Sequence, residues 1–121
     1  MGIFKKNPDK IRANAEAFID DDEHIQALTC GGTSASLGGG QSQHFVIAAT
    51  ERNVYIIHVH PLGLGTRLRA VVEKTPFAEA NVERSKGSFK VNDFTFQEVN
   101  FWGKETEALV DYLAAHRQTA T

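Results

Sequence analysis

The sequence predicts a mainly β domain of the α+β class. About seven short antiparallel strands should form a barrel or two packed sheets, with an extra helix at the N-terminal end and a capping helix at the C-terminal end. Three observations lead there. HFVIAATERNVYIIHVH, residues 44–60, sets two apolar, β-branched runs about a short polar break, the pattern of a β-hairpin. The stretches that follow alternate in short runs punctuated by Gly, Pro, Asn and Asp. KETEALVDYLAAHR carries apolar residues at helical spacing.

Composition bounds the rest. A chain of 121 residues with 41% hydrophobic content suits one domain with a single compact core. Thirteen basic residues against fifteen acidic ones give a net charge of -2, so no overall field draws the protein to nucleic acid or to an anionic membrane. The one cysteine, Cys30, excludes an intramolecular disulfide and cannot by itself build a thiolate metal site. No apolar run reaches the ~18 residues of a membrane span, and MGIFKKNPDK lacks the apolar stretch of a signal peptide. A soluble, cytoplasmic protein is expected.

In chain order, residues 1–21 should hold an amphipathic helix, with Asn7 as its cap, Pro8 at its first position and Asp9 in its first turn. Ile11, Ala15, Phe18 and Ile19 share one face, and the helix should end at Asp20-Asp21-Asp22-Glu23. EHIQALTCGGT then reads as a first strand, with Ile25, Ala27 and Thr29 on one face and Gln26, Leu28 and Cys30 on the other. Residues 31–42 read as a glycine and serine loop; it has no lysine and leads into a strand, so it is not a phosphate cradle.

Both arms of the central hairpin are apolar at nearly every position, which predicts cover on both faces. Its register has two solutions. A two-residue turn at Glu51-Arg52 puts His44 on the face opposite His58 and His60, whereas a left-handed Asn53 in a three-residue loop puts all three together; asparagine favours the second. Pro61-Leu62-Gly63-Leu64-Gly65 connects to a strand from Thr66 to Lys74, with Leu68, Ala70 and Val72 inward and Arg67, Arg69 and Val71 outward. A short strand at Ala80 to Arg84 follows, then a tight turn at Ser85-Lys86-Gly87. The last hairpin turns at Asn92-Asp93, and the change of phase from Phe94 and Phe96 to Val99 and Phe101 predicts a bulge at Gln97-Glu98. The final helix should bury Ala108, Leu109, Tyr112, Leu113 and His116, and residues 118–121 read as a frayed tail.

ATERNVYII, the block TPFAEANVERSKGSFKVNDFTFQEVNF and the terminal EALVDYLAAHR together resemble the bacterial pleckstrin-homology-like (PH-like) domains, over residues 22–117. The resemblance implies a strand barrel with a C-terminal capping helix. It also implies a non-catalytic platform that binds proteins, membranes or itself, often as a homo-oligomer. Two departures stand out: Trp102 precedes the last helix instead of lying within it, and the loop after the first strand lacks the Lys and Arg that phosphoinositide-binding relatives use.

No carboxylate pair, cysteine-histidine couple or ligand cluster is fixed by spacing, so no enzyme, cofactor or metal site is expected. Arg67, Arg69, Lys86 and Lys90 would form a basic stripe only if their strands were neighbours, and the phenylalanines alternate as core residues, so no nucleic-acid partner is expected. Surface binding has candidates in Lys5, Lys6, His58, His60, Arg67 and Arg69. The expected function is self-association or protein binding by a non-enzymatic module. The alternatives are a membrane-surface contact through Ile3, Phe4 and the basic N-terminal helix, and a small ligand or metal held at a barrel mouth near His58 and His60.

Overall fold

A computed structural model describes residues 8–33, 43–59, 68–85, 87–98 and 103–119. Helix α1 (Pro8–Glu16) is followed by strands β1 (Ile25–Thr33), β2 (Gln43–Thr50), β3 (Asn53–Val59) and β4 (Leu68–Pro76). A 3-10 turn (Phe77–Glu79) leads to β5 (Val82–Ser85), β6 (Ser88–Val91) and β7 (Phe94–Glu98), and helix α2 (Gly103–Thr119) closes the order. Helix α1 ends earlier than expected. After Glu16 the chain continues in tight turns, with Phe18 N–H donating to Ala15 C=O at 2.9 Å, and these still deliver Ile19 to the same buried face as Ile11 and Ala15.

The strands make one antiparallel sheet in the order β4-β3-β2-β1-β7-β6-β5, not two packed sheets and not a closed barrel. Strands β4 and β5 are its edges, and no ladder joins them among the described residues. The sheet nevertheless curls far round. In a flat sheet β4 and β6 would stand five strand spacings, roughly 24 Å, apart. Yet Asn92, in the β6–β7 turn, donates its side-chain amide to Thr75 Oγ1 on β4 at 2.9 Å. The curl brings Phe45 of β2 within 5.5 Å of Phe96 of β7, ring centre to ring centre, and Phe96 also meets its cross-strand partner Phe89 at 5.4 Å.

Two cores result, one on each face of the central hairpin, as its unbroken apolar runs require. On the concave side Phe45, Ile47, Ala49, Val54 and Ile56 pack with Phe89, Val91, Phe96 and with Leu109 and Leu113 of α2. On the other side Val46, Ala48, Tyr55, Ile57 and Val59 pack with Ile11, Ala15 and Ile19. The buried stripe of α2 runs Thr106, Leu109, Leu113, with Tyr112 half-buried; Ala108 is exposed, contrary to expectation, and the side chain of His116 lies outside the described residues. Thr106 belongs there because its hydroxyl meets that of Thr29 on β1, 2.8 Å away and fully buried.

The hairpin takes the two-residue turn. Phe45 pairs with His58 and Ala49 with Val54, and Asn53 is not left-handed: Asn92 alone among the described non-glycine residues has positive φ, at 55°. The Thr50 hydroxyl decides the register by accepting the N–H groups of Arg52 (3.1 Å) and Asn53 (3.0 Å), a side chain doing what a left-handed backbone would otherwise do. His44 is therefore exposed on the face opposite His58.

Gly31 and Gly32 belong to β1 and not to a loop, because they pair with both β2 and β7. A Cβ on Gly31 would stand 2.7 Å from Phe89 Cζ and 2.8 Å from Phe96 Cβ, so the curl is tightest where no side chain can fit. Thr33 ends the strand, and residues 34–42 lie outside the described residues, as do Asn7, the connection at 60–67 and the Val99 side of the expected bulge. Through Gln97 the β6–β7 ladder is regular. Irregularity falls elsewhere: one register shift in β1 between Ile25 and Ala27 turns Ile25 to the α1 side, and two shifts interrupt β4 against β3. These shifts break the alternation expected of β4, and Val71 and Val72 are 37% and 46% exposed. The next strand begins at Val82, not Ala80, since Phe77 and Ala80 plug the core from the 3-10 turn.

Candidate binding groove beside β1

The start of β1 is fixed by a polar knot. Glu23 is 7% exposed, and its carboxylate accepts from three neutral donors: Thr50 Oγ1, Asn53 Nδ2 at 3.0 Å and Tyr55 OH at 2.8 Å. Around this centre Lys74 bonds Asp20 at 2.7 Å, Arg52 bonds Asp22, and the His24 N–H donates to Glu51 at 2.7 Å. The hydrogen bond from Lys74 holds the Asp20 carboxyl below its ordinary value, and the same bond raises Lys74. Burial, then the bond to Glu23, pushes the Tyr55 phenol up. The knot ties the segment after α1 to the hairpin turn and to β4, which leaves Gln26–Leu28 in a fixed position.

Beyond that point β1 has a gap beside it. Among the described residues β7 meets β1 only at Gly31 and Gly32, and no strand flanks residues 26–28 on that side. A groove of about 670 Å³ lies there, floored by Ala27 and Leu28. Helix α1 supplies one wall with Asp9 and Arg12, and α2 supplies the other with Glu105, Asp111 and Tyr112. The Arg12 guanidinium donates to the Ile25 carbonyl at the rim. Tyr112 sets its ring edge-on to Phe77, 5.7 Å between centres, and burial raises its phenol. Three carboxylates and one guanidinium make the lining acidic.

The surface residues expected from the sequence do not converge here. Lys5, Lys6, His60 and Arg67 lie outside the described residues. His58 is half-buried with its ring 5.1 Å from that of Phe45, and Arg69 is exposed on β4. Arg69 and Lys90 stand on β4 and β6, which are not neighbours, so the basic stripe does not form between them. Cys30 is buried in the α1-side core. No three of His, Cys, Asp and Glu come together as metal ligands among the described residues, and none of the described helices is long and apolar enough to cross a membrane.

Sequence reasoning missed the groove because its residues look like ordinary solvated charge. Asp9 and Arg12 are three apart, and Glu105, Ala108 and Asp111 follow the same spacing, with Tyr112 four from Ala108, a stripe adjacent to the buried one. Which strand edge such stripes flank depends on where the curl leaves a gap. Compared with family models, with curated proteins and with solved structures, the chain finds no match.

Proposed function

We propose that this chain is a PH-like, non-enzymatic interaction module of the cytoplasm that works by binding a segment of a protein partner or another copy of itself. The fold part of that reading is supported by the seven-stranded antiparallel meander, its curl, and the C-terminal helix over the concave face. The functional part is carried by one observation: a stretch of strand edge left beside a groove between two helices. Unpaired backbone donors and acceptors at a sheet edge are a template for a further strand. The other long edge, β4, is less suited: it carries two register shifts where β1 has one, and its Arg69, Glu73 and Lys74 put charge along the pairing surface.

Selection from a displayed library of random peptides, run beside light scattering over a wide concentration range, tests this. Enrichment of peptides that protect the β1 amides from exchange, or a discrete oligomer that survives high salt, is the expected result. A monodisperse monomer at every concentration, with no enriched peptide, overturns the reading.

A further inference from the structure

The groove also specifies what enters it. The geometry points to an extended peptide bearing Lys or Arg, added as a short strand along residues 26–28 of β1 with its cationic side chains between α1 and α2. This rests on the interaction-module reading and narrows it to one ligand chemistry at one edge.

Two independent features carry it. The first is the backbone. Ala27 and Leu28 pair with β2, Gln26 is the extra residue of the register shift before them, and among the described residues no strand lies on the other side, where the groove runs; a strand of three or four residues spans the roughly 10 Å the three occupy. The second is charge. Asp9 stands on one wall, Glu105 and Asp111 on the other, and the one cation among them, Arg12, is directed at the Ile25 carbonyl. The Arg12 bond shows what this rim accepts: a guanidinium on a β1 backbone oxygen. An incoming Lys or Arg would meet carboxylates on both sides, whereas an acidic peptide would meet like charge at every charged wall position but Arg12. Asp9 and Asp111 are both exposed, so their charges are available to a ligand and their replacement does not disturb either core.

The probes are three synthetic hexapeptides on a Val/Thr background: one with Lys at alternate positions, one with Glu there, and a copy of the first with Pro at the remaining positions. Binding is read by fluorescence anisotropy and by exchange protection of those amides between Gln26 and Leu28 that point into the groove, since alternate amides of a strand face its other neighbour. The basic peptide should bind and protect those amides, and the proline copy should fail because it cannot donate to a ladder. Asp9→Asn with Asp111→Lys should weaken the basic peptide by roughly tenfold or more and improve the acidic one, with the effect shrinking at high salt. Equal affinity for basic and acidic peptides, or binding that survives proline, overturns the proposal while leaving an association role standing. Oligomerisation that protects the same amides without peptide also overturns it, naming a second copy as the occupant. Failure of every peptide together with a clean monomer counts against both readings.

Discussion

At the scale of single residues, two positions carry more than their composition suggests. Glu23 is a buried carboxylate held by hydroxyl, amide and phenol donors. Glu23→Ala would leave Thr50, Asn53 and Tyr55 facing a void, at a cost of about 2–4 kcal/mol. Glu23→Gln keeps the shape and one acceptor, so it should cost less than half as much; urea unfolding of the two variants checks the order, and equal losses would show that volume and not bonding matters there. Gly31 is the second. Gly31→Ala forces a methyl against Phe89 Cζ and Phe96 Cβ, and only the first can swing aside. A loss of about 1–3 kcal/mol follows, and Phe89→Leu should recover part of it in the double variant. In the sequence both residues look unremarkable. Glu23 closes an acidic run and Gly31 opens a glycine-rich one, and nothing local reports that one is buried and the other lies under Phe89 and Phe96.

At the scale of elements, what was legible was whatever depends on neighbours in sequence. The hairpin at 44–60 announced cover on both faces, and Asn92 and Gly87 announced their positive φ, 55° and 75°. The hairpin register was misread because asparagine's tolerance of left-handed backbone weighed more than the Thr50 hydroxyl, which bonds two turn amides. The groove was invisible because it depends on which edge lacks a neighbour. The knot between the α1–β1 segment, the hairpin turn and β4 makes its own prediction for pH. Asp20 is lowered below its ordinary 3.8, so the stability it lends is present above that value and fades as acid protonates it. Lys74, Tyr55 and Tyr112 are raised above their ordinary 10.5, 10.0 and 10.0, so their stability is complete below those values and is lost as pH climbs through the folded-state ones. The urea midpoint should therefore be flat between about pH 5 and 9 and fall on the alkaline side in particular, where three groups act in the same direction. Tyr55→Phe should flatten the alkaline fall while lowering the plateau, because it also removes the bond to Glu23.

At the scale of the whole molecule, the two cores share one hairpin, and this settles whether α1 is an appendage. Ile57, Val46 and Ala48 are 0% exposed because Ile11, Ala15 and Ile19 cover them, just as Ile47 and Ile56 are closed off on the α2 side. Removing either cover leaves β2 and β3 with one wet apolar face. Ala15 is itself 0% exposed within the apolar cluster, so Ala15→Asp places a charge against that face, and a penalty of about 3 kcal/mol or more is expected. If the cores are one cooperative unit, this loss appears in the single unfolding transition of the sheet, and amide exchange quickens together in α1, β2 and β3. Leu109→Ala, on the opposite face, should lower that same transition by about 2–4 kcal/mol. Exchange that quickens in α1 alone, with the β2 and β3 amides unmoved, would make α1 a detachable cover. One wall of the groove would then be removable, and the peptide affinity of Ala15→Asp would collapse while the sheet stayed folded.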